Sequence, residues 1–306
     1  MMMPRRGSSL LRRGMATSSS TPPATLVTIP FSHYSELARW SLDATGVAYI
    51  ERASMPGFHI ATVISATGRW KPATRARAGS PWAVPLLVLP DGEVVRDSHN
   101  IATHAAAGTS LYPSEHRESI HADLLHFHDR IGPIARRFAY HHLFSALDAA
   151  GFCELAAANG APAWQVALLG SEAVFQRARG YISRGLGVSK ERAARAEQYI
   201  EAELEAVSAR LQQRAPAAEA SAGAYAQGLH GNDVTLSDLS FASLVAPALG
   251  VSYGSPLDGV VRFPPPEALG AEYAEKAARW RATPAGAFAV ELLGRRDAIV
   301  AAREAA

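Results

Sequence analysis

Two serines at a loop-to-helix junction are the first residues in this chain whose type and place suit chemistry. Ser32 and Ser35 follow Leu26-Val27-Thr28-Ile29, an apolar, β-branched run that reads as a strand. They precede Leu37, Trp40, Leu42 and Ala44 at near-helical spacing, stopped by Gly46. A helix N-terminus carries unpaired backbone N–H groups and a partial positive charge. It therefore stabilises an anion, a thiolate included. Ser32 and Ser35 can each donate a hydrogen bond to such an anion, and each is equally an ordinary N-cap. Asp97-Ser98 repeats the arrangement after Val94-Val95, at the start of a segment carrying Ile101, His104 and Ala105. Its carboxylate and hydroxyl serve either as a cap or as ligand contacts.

Other side chains offer less. His116, His121, His126, His128, His141 and His142 cluster in sequence, but no His-x-x-x-His pair appears among them. We expect no metal site. Arg136-Arg137 on their own read as a solvated face. Cys153 is the only cysteine. This excludes an internal disulfide framework, a cysteine zinc cluster and a Cys-x-x-Cys redox pair. It reads as an inert buried thiol.

The 306 residues suffice for two domains. A formal net charge of +2 gives no general argument for nucleic acid. No apolar run reaches the length of a membrane span. The start differs from the rest. Arg5, Arg6, Arg12 and Arg13 lie among many Ser and Thr, and the first acidic residue is Glu36. That composition reads as an organelle transit peptide, for a mitochondrion or plastid. The alternatives are a plain disordered tail, or a start at Met15 that deletes the arginines; the protein is then cytoplasmic. Either way residues 1–24 are set aside from the fold.

The elements that must position these residues follow in order. Val47 to Glu51 reads as a second strand, and Ile60, Val63 and Ile64 as a helical piece. Val84 to Leu89, Asp91-Gly92 and Glu93 to Arg96 read as a hairpin. Pro85 opens a strand, where proline is tolerated, or forms a cis bond in a tight turn. The order β-α-β-(α)-β-β-α predicts a small mixed α/β domain over residues 25–108. Beyond Tyr112 no strand pattern is convincing. Glu115 to Arg130 reads as a helix, Gly132-Pro133 kinks or restarts it, and Ile134 to Leu147 continues. Helices are predicted from Ser171 to Gly185, from Ser189 through Arg210, over Tyr273 to Arg281 and over Ala285 to Ala302. Thr235 and Asp238 fit a capping box ahead of an almost wholly apolar helix. Residues 113–306 therefore form an all-α domain.

In this order and at these separations, the motifs resemble the soluble glutathione transferases. Ser32-His33-Tyr34-Ser35-Glu36-Leu37-Ala38-Arg39-Trp40 stands where that family places its catalytic residue. Val84-Pro85-Leu86-Leu87 resembles its Val-Pro-x-Leu, whose proline is cis. Asp97-Ser98-x-x-Ile101 resembles its acidic-Ser pair, and Thr235-x-x-Asp238 the cap of its central helix. The resemblance covers Leu26 to Val300. It implies a thioredoxin-like α/β domain followed by a helical domain, a homodimer, and glutathione as co-substrate. Ser32 matches the serine of the tau class, a position held by cysteine in the omega class. Ser35 is the alternative.

By the same resemblance, Ser32 stabilises the thiolate of glutathione, which attacks a small hydrophobic electrophile in detoxification. Val84, Pro85, Asp97 and Ser98 hold glutathione. Tyr34, His128, Arg136 and Tyr140 are candidates for the electrophile pocket or the dimer face. The chain departs from the tau pattern at Ala83, where a basic residue is usual. Lys71, Arg75, Arg77 and Trp82 are the candidates to replace its contact with the glycine carboxylate. Two rival readings remain: a glutathione-transferase-like binding or structural protein, and a glutathione-dependent reductase or isomerase. The serines at 32 and 35 weigh against a reductase, because disulfide exchange needs a thiolate.

The acid-free start carries one prediction. N-terminal sequencing of protein from its native cell is expected to return a first residue between Met15 and Leu26. An intact Met1 or Met2 terminus overturns cleavage.

Overall fold

The computed structural model describes residues 10–12, 22–69, 80–214, 228–252 and 261–304. Short strands rich in β-branched and apolar residues pair to set the first domain. Strand β1 (Leu10–Arg12) lies antiparallel to β3, and β2 (Ala24–Thr28) runs parallel to it. Helix α1 (His33–Ala44) connects β2 to β3 (Tyr49–Ala53), as a parallel pair requires. Helix α2 (His59–Thr67) precedes the hairpin β4 (Leu86–Val88) and β5 (Val94–Arg96), and α3 (Ser98–Ala105) closes the domain. Sheet order is β1-β3-β2-β4-β5, with Leu26 opposite Leu87 on one side and Glu51 on the other. Three residues of the set-aside segment thus form the edge strand β1. Cleavage between Met15 and Leu26 would remove it.

The rest is helical, as the sequence predicts. It comprises α4 (Arg117–His126), α5 (Gly132–Ala146), α6 (Ala149–Ala158), α7 (Ala163–Leu169) and α8 (Glu172–Leu186). Then come α9 (Lys190–Arg214), α10 (Leu236–Leu249), α11 (Ala271–Arg281), α12 (Pro284–Gly294) and α13 (Arg296–Glu304). No described helix is long and apolar enough to cross a membrane.

Three differences from the sequence reading matter. Of the kink or restart read at Gly132-Pro133, the restart is absent: a π-helical turn, Phe127–Ile131, carries α4 into α5. Helices α6 and α7 stand where no element is predicted, because their Ala-rich pattern gives little periodicity. The last predicted helix is two, separated at Arg295. The capping box is present, with Asp238 Oδ2 accepting from Thr235 N at 2.7 Å.

Helix α1 packs against α3, α10 and α13. Almost all of it is buried, so its polar side chains are satisfied internally. Arg39 donates from Nε to Glu51 Oε1 at 2.8 Å, from Nη2 to the Pro30 carbonyl at 3.2 Å, and meets Glu36 Oε2 at 3.4 Å. Arg296 of α13 donates from Nε to Glu36 Oε1 and from Nη2 to Asp43 Oδ2, both at 2.7 Å. Burial alone would lower the basicity of both guanidinium groups; the carboxylates beside them hold it above the usual range.

Removing one member of a buried ion pair strands the other charge. Arg296→Ala is expected to destabilise the protein by about 3–5 kcal/mol in urea denaturation. A loss below about 1 kcal/mol, the size of a surface pair, would show that α13 does not hold α1.

Candidate functional site

The chain enters α1 through Ser32, which has extended backbone angles and caps the helix. Its Oγ accepts from Ser35 N at 3.4 Å, which leaves the hydroxyl proton free to donate elsewhere. Capping and ligand binding are therefore compatible at this residue. Ser35 differs. It is fully buried, accepts from Ile29 N at 3.4 Å, and lies outside the cleft that Ser32 lines.

That cleft, about 560 Å³, lies between the two domains. Ser32, Tyr34, Val84, Pro85, Asp97, Ser98, His128, Arg136 and Tyr140 all line it. The sequence candidates thus meet in one place, Ser35 excepted. The Val84-Pro85 bond is cis. Arg96 Nη1 donates to the Pro81 carbonyl at 3.0 Å and ties the loop before that bond to β5. Asp97 holds φ at 68°, a left-handed value that costs a non-glycine residue of order 1–3 kcal/mol. It occupies the N-cap position of α3 but makes no side-chain capping bond. The cap that the sequence suggests for Asp97 is absent, and the residue lines the cleft.

The helical domain reaches this cleft through the junction of α4 and α5. Pro133 has no N–H, so a carbonyl one turn earlier loses its helical donor. Tyr34 supplies a donor there, its hydroxyl giving a 3.0 Å bond to the His128 carbonyl. His33 Nε2 meets the Gly132 carbonyl at 3.1 Å, and since a carbonyl only accepts, that nitrogen carries the proton. A Cβ on Gly132 would lie 2.3 Å from the Tyr34 hydroxyl oxygen, so only glycine permits this approach. The His128 ring packs edge-on against Tyr34 and His99, and its Nδ1 lies 3.4 Å from Ser98 Oγ. Arg136 is not part of a solvated face. Its guanidinium sits 5.6 Å from the centre of the Tyr34 ring, and its Nε is buried.

Electrostatics follow from burial. Desolvation, aided by the Arg136 charge, pushes the His33 imidazole down to about 3 despite its hydrogen bond. Burial pushes the Tyr34 and Tyr140 phenols up to about 12, each opposed by Arg136. Both tyrosines are thus protonated donors at neutral pH.

Sequence reasoning missed His33, His59 and the wall that α8 contributes: Tyr181, Ile182, Arg184 and Leu186. His33 sits beside two residues already singled out. The α8 residues carry no motif, because a pocket wall of apolar and basic side chains has no fixed spacing. Of the suggested glycine-carboxylate contacts, Lys71, Arg75 and Arg77 lie outside the described residues, and Trp82 does not line the cleft. Among the described residues, no group of three His, Cys, Asp or Glu side chains is placed to hold a metal ion.

Comparison with solved structures decides the architecture. The fold is that of the glutathione transferases. One from Phanerochaete chrysosporium aligns over 92% of this chain and 98% of its own, with a TM-score of 0.54 and 17% identity. Another, from Ceriporiopsis subvermispora and solved in complex with glutathione, aligns over the same shares with a TM-score of 0.55 and 16% identity. A second Phanerochaete chrysosporium enzyme covers 93% and 99%, with a TM-score of 0.52 and 19% identity. No protein-family model matches the chain, and no curated sequence is similar to it.

The His33 environment predicts a pH dependence. The unfolded chain binds a proton near pH 6.5 that the folded chain refuses until about pH 3. Stability therefore falls as the pH drops below about 6.5, by up to about 1.4 kcal/mol per pH unit from this residue. In a ¹⁵N NMR titration the His33 imidazole is expected to remain neutral at pH 5. Titration near 6.5 would overturn its burial against α5.

Proposed function

We propose that the protein is a glutathione transferase in which Ser32 stabilises the thiolate. One observation carries the reading. Ser32, the cis Val84-Pro85 bond and the Asp97-Ser98 pair, far apart in sequence, line a single cleft on a glutathione transferase fold.

The residues fit the tripeptide by charge. Asp97, which lines the cleft, would pair its carboxylate with the ammonium, and Ser98 begins α3, whose free N–H groups suit a carboxylate. The Val84 backbone before the cis bond is the contact for the cysteinyl amide. Glutathione, when bound, supplies the thiolate that attacks an electrophilic carbon. An ordinary thiol has a pKa near 8.5 and is mostly protonated at neutral pH. The Ser32 hydroxyl proton and the N-terminus of α1 favour the ionised form. Each unit of depression corresponds to about 1.4 kcal/mol. Tyr34 is held by the His128 carbonyl and shapes the wall beside Ser32.

One observation favours a binding protein without turnover. Ala83 lines the cleft where a basic side chain is expected, which weakens the hold on the glycine carboxylate. A reductase is disfavoured, since Cys153, the only thiol, does not line the cleft.

Substitutions separate these readings. Ser32→Ala is expected to keep glutathione affinity and to slow conjugation of a chloronitrobenzene by roughly 10–150-fold, the loss of about 1.5–3 kcal/mol. Wild-type protein that binds glutathione but conjugates nothing supports the binding protein. Asp97→Asn and Ser98→Ala are each expected to weaken glutathione by roughly tenfold in calorimetry, equivalent to about 1.4 kcal/mol. A lower melting temperature with full affinity in both variants would reduce the pair to structural residues.

A further inference from the structure

The second half of the cleft holds two hydrogen-bond donors that the glutathione reading does not use. Arg136 and Tyr140 lie one turn apart on α5, on the same helix face, and both line the cleft. Among the described residues, no carboxylate lies within ion-pairing distance of Arg136, and its buried Nε has no hydrogen-bond partner. A buried guanidinium donor without a partner is costly in a folded protein. The Tyr140 side chain is buried, and its hydroxyl makes no hydrogen bond among the described residues. Together they offer a planar cation and a neutral donor at one spot.

Helix α8 lines the same cleft. Tyr181, Ile182 and Leu186 bring aromatic and aliphatic surface, with Tyr181 exposed, and Arg184 adds a second positive charge. Apolar side chains together with an unpaired guanidinium suit a ligand with two ends, one aromatic and one anionic. Arginine pairs best with a planar oxyanion, which it meets with two parallel hydrogen bonds.

Resting on the glutathione reading for the other half of the cleft, we infer that the second substrate is an aromatic carboxylate, its carboxylate seated on Arg136 and Tyr140 and its rings against Tyr181, Ile182 and Leu186. Such a substrate differs from a purely hydrophobic electrophile. A neutral molecule of the same shape would leave both donors unpaired, and sites built to hydrogen-bond a group discriminate strongly against analogues lacking it.

The test needs no turnover, so its failure is separable from that of the glutathione reading. Naphthalene-2-carboxylate and naphthalene-2-carboxamide are titrated by calorimetry into the full chain, and glutathione is titrated separately. The carboxylate is expected to bind at least tenfold more tightly than the amide. That preference should disappear in Arg136→Gln and shrink in Tyr140→Phe, while glutathione affinity holds in both. Tyr140→Phe removes one hydroxyl and nothing that packs, so it reports even if Arg136→Gln folds poorly. Equal binding of the two naphthalenes to the wild type overturns the inference. So does a preference that survives both substitutions. Loss of glutathione affinity in Arg136→Gln, with the naphthoate unaffected, would assign Arg136 to the tripeptide and also overturn it. Absence of glutathione binding in the wild type sinks the proposed function alone, because the naphthoate preference is read without it.

Discussion

The buried charge network on α1 is the constraint on which the rest of the structure depends. A helix packed against α3, α10 and α13 has almost no solvent face, yet α1 carries Glu36, Arg39 and Asp43. An isolated charge in that position would cost many kilocalories per mole. The solution is reciprocal. Arg39 binds Glu51 of the neighbouring strand and the Pro30 carbonyl just ahead of the helix, while Arg296 comes from α13 to bind Glu36 and Asp43. Replacement by apolar side chains of the same volume can be as stable in principle. What the ionic arrangement adds is direction. Guanidinium-carboxylate pairs set the rotation of α1 about its axis, and that rotation decides where Ser32, His33 and Tyr34 project.

From there the site is a seam between two domains. His33 and Tyr34, at the first turn of α1, each bond a main-chain carbonyl at the junction of α4 and α5. Pro133 and the π-helical turn make that junction irregular, and Gly132 lets Tyr34 come close. π-turns of this sort recur at functional sites, since they loosen helical carbonyls for other donors. The cleft therefore takes its shape from both domains. Its charge comes from both sides too: the thioredoxin-like side brings Asp97 and hydroxyls, and the helical side brings Arg136, Arg184 and Asp129.

Much of this was legible in the residues. Strand-loop-helix at Leu26 to Leu42, the Asp-Gly hairpin and the Thr235-x-x-Asp238 cap depend on short-range patterns, and all three are present. The grouping of Ser32, Pro85, Asp97 and Tyr140 was reachable only through resemblance, because nothing local says that they meet. Other features were not readable. Glu36 and Arg39 look like the wet face of an amphipathic helix, since their partners Arg296 and Glu51 stand elsewhere in the chain. Gly132-Pro133 reads as a kink or a restart, because proline disturbs a helix; here a π-helical turn before it absorbs the mismatch and no restart is needed. Ser35 looks equivalent to Ser32 in spacing, but one turn of helix carries it into the core. Helices α6 and α7 left no signature beyond generic composition, and although α8 was legible as a helix, nothing in it marked Tyr181, Ile182, Arg184 and Leu186 as one wall of the cleft.

The pairing of Glu36 with Arg296 also bears on how the protein is made. The two residues are separated by 260 positions in the sequence. Ribosomes add roughly 5–20 residues per second, so Glu36 emerges about 10–50 s before its partner exists. During that interval the sheet, α1 and α3 can assemble, with Arg39 and Glu51 already paired. Until Arg296 exists, Glu36 has the 3.4 Å contact with Arg39 and Asp43 the Tyr49 hydroxyl, but each carboxylate lacks the cation that meets it at 2.7 Å. A helix made long after α1 thus supplies a close cation for both of its carboxylates.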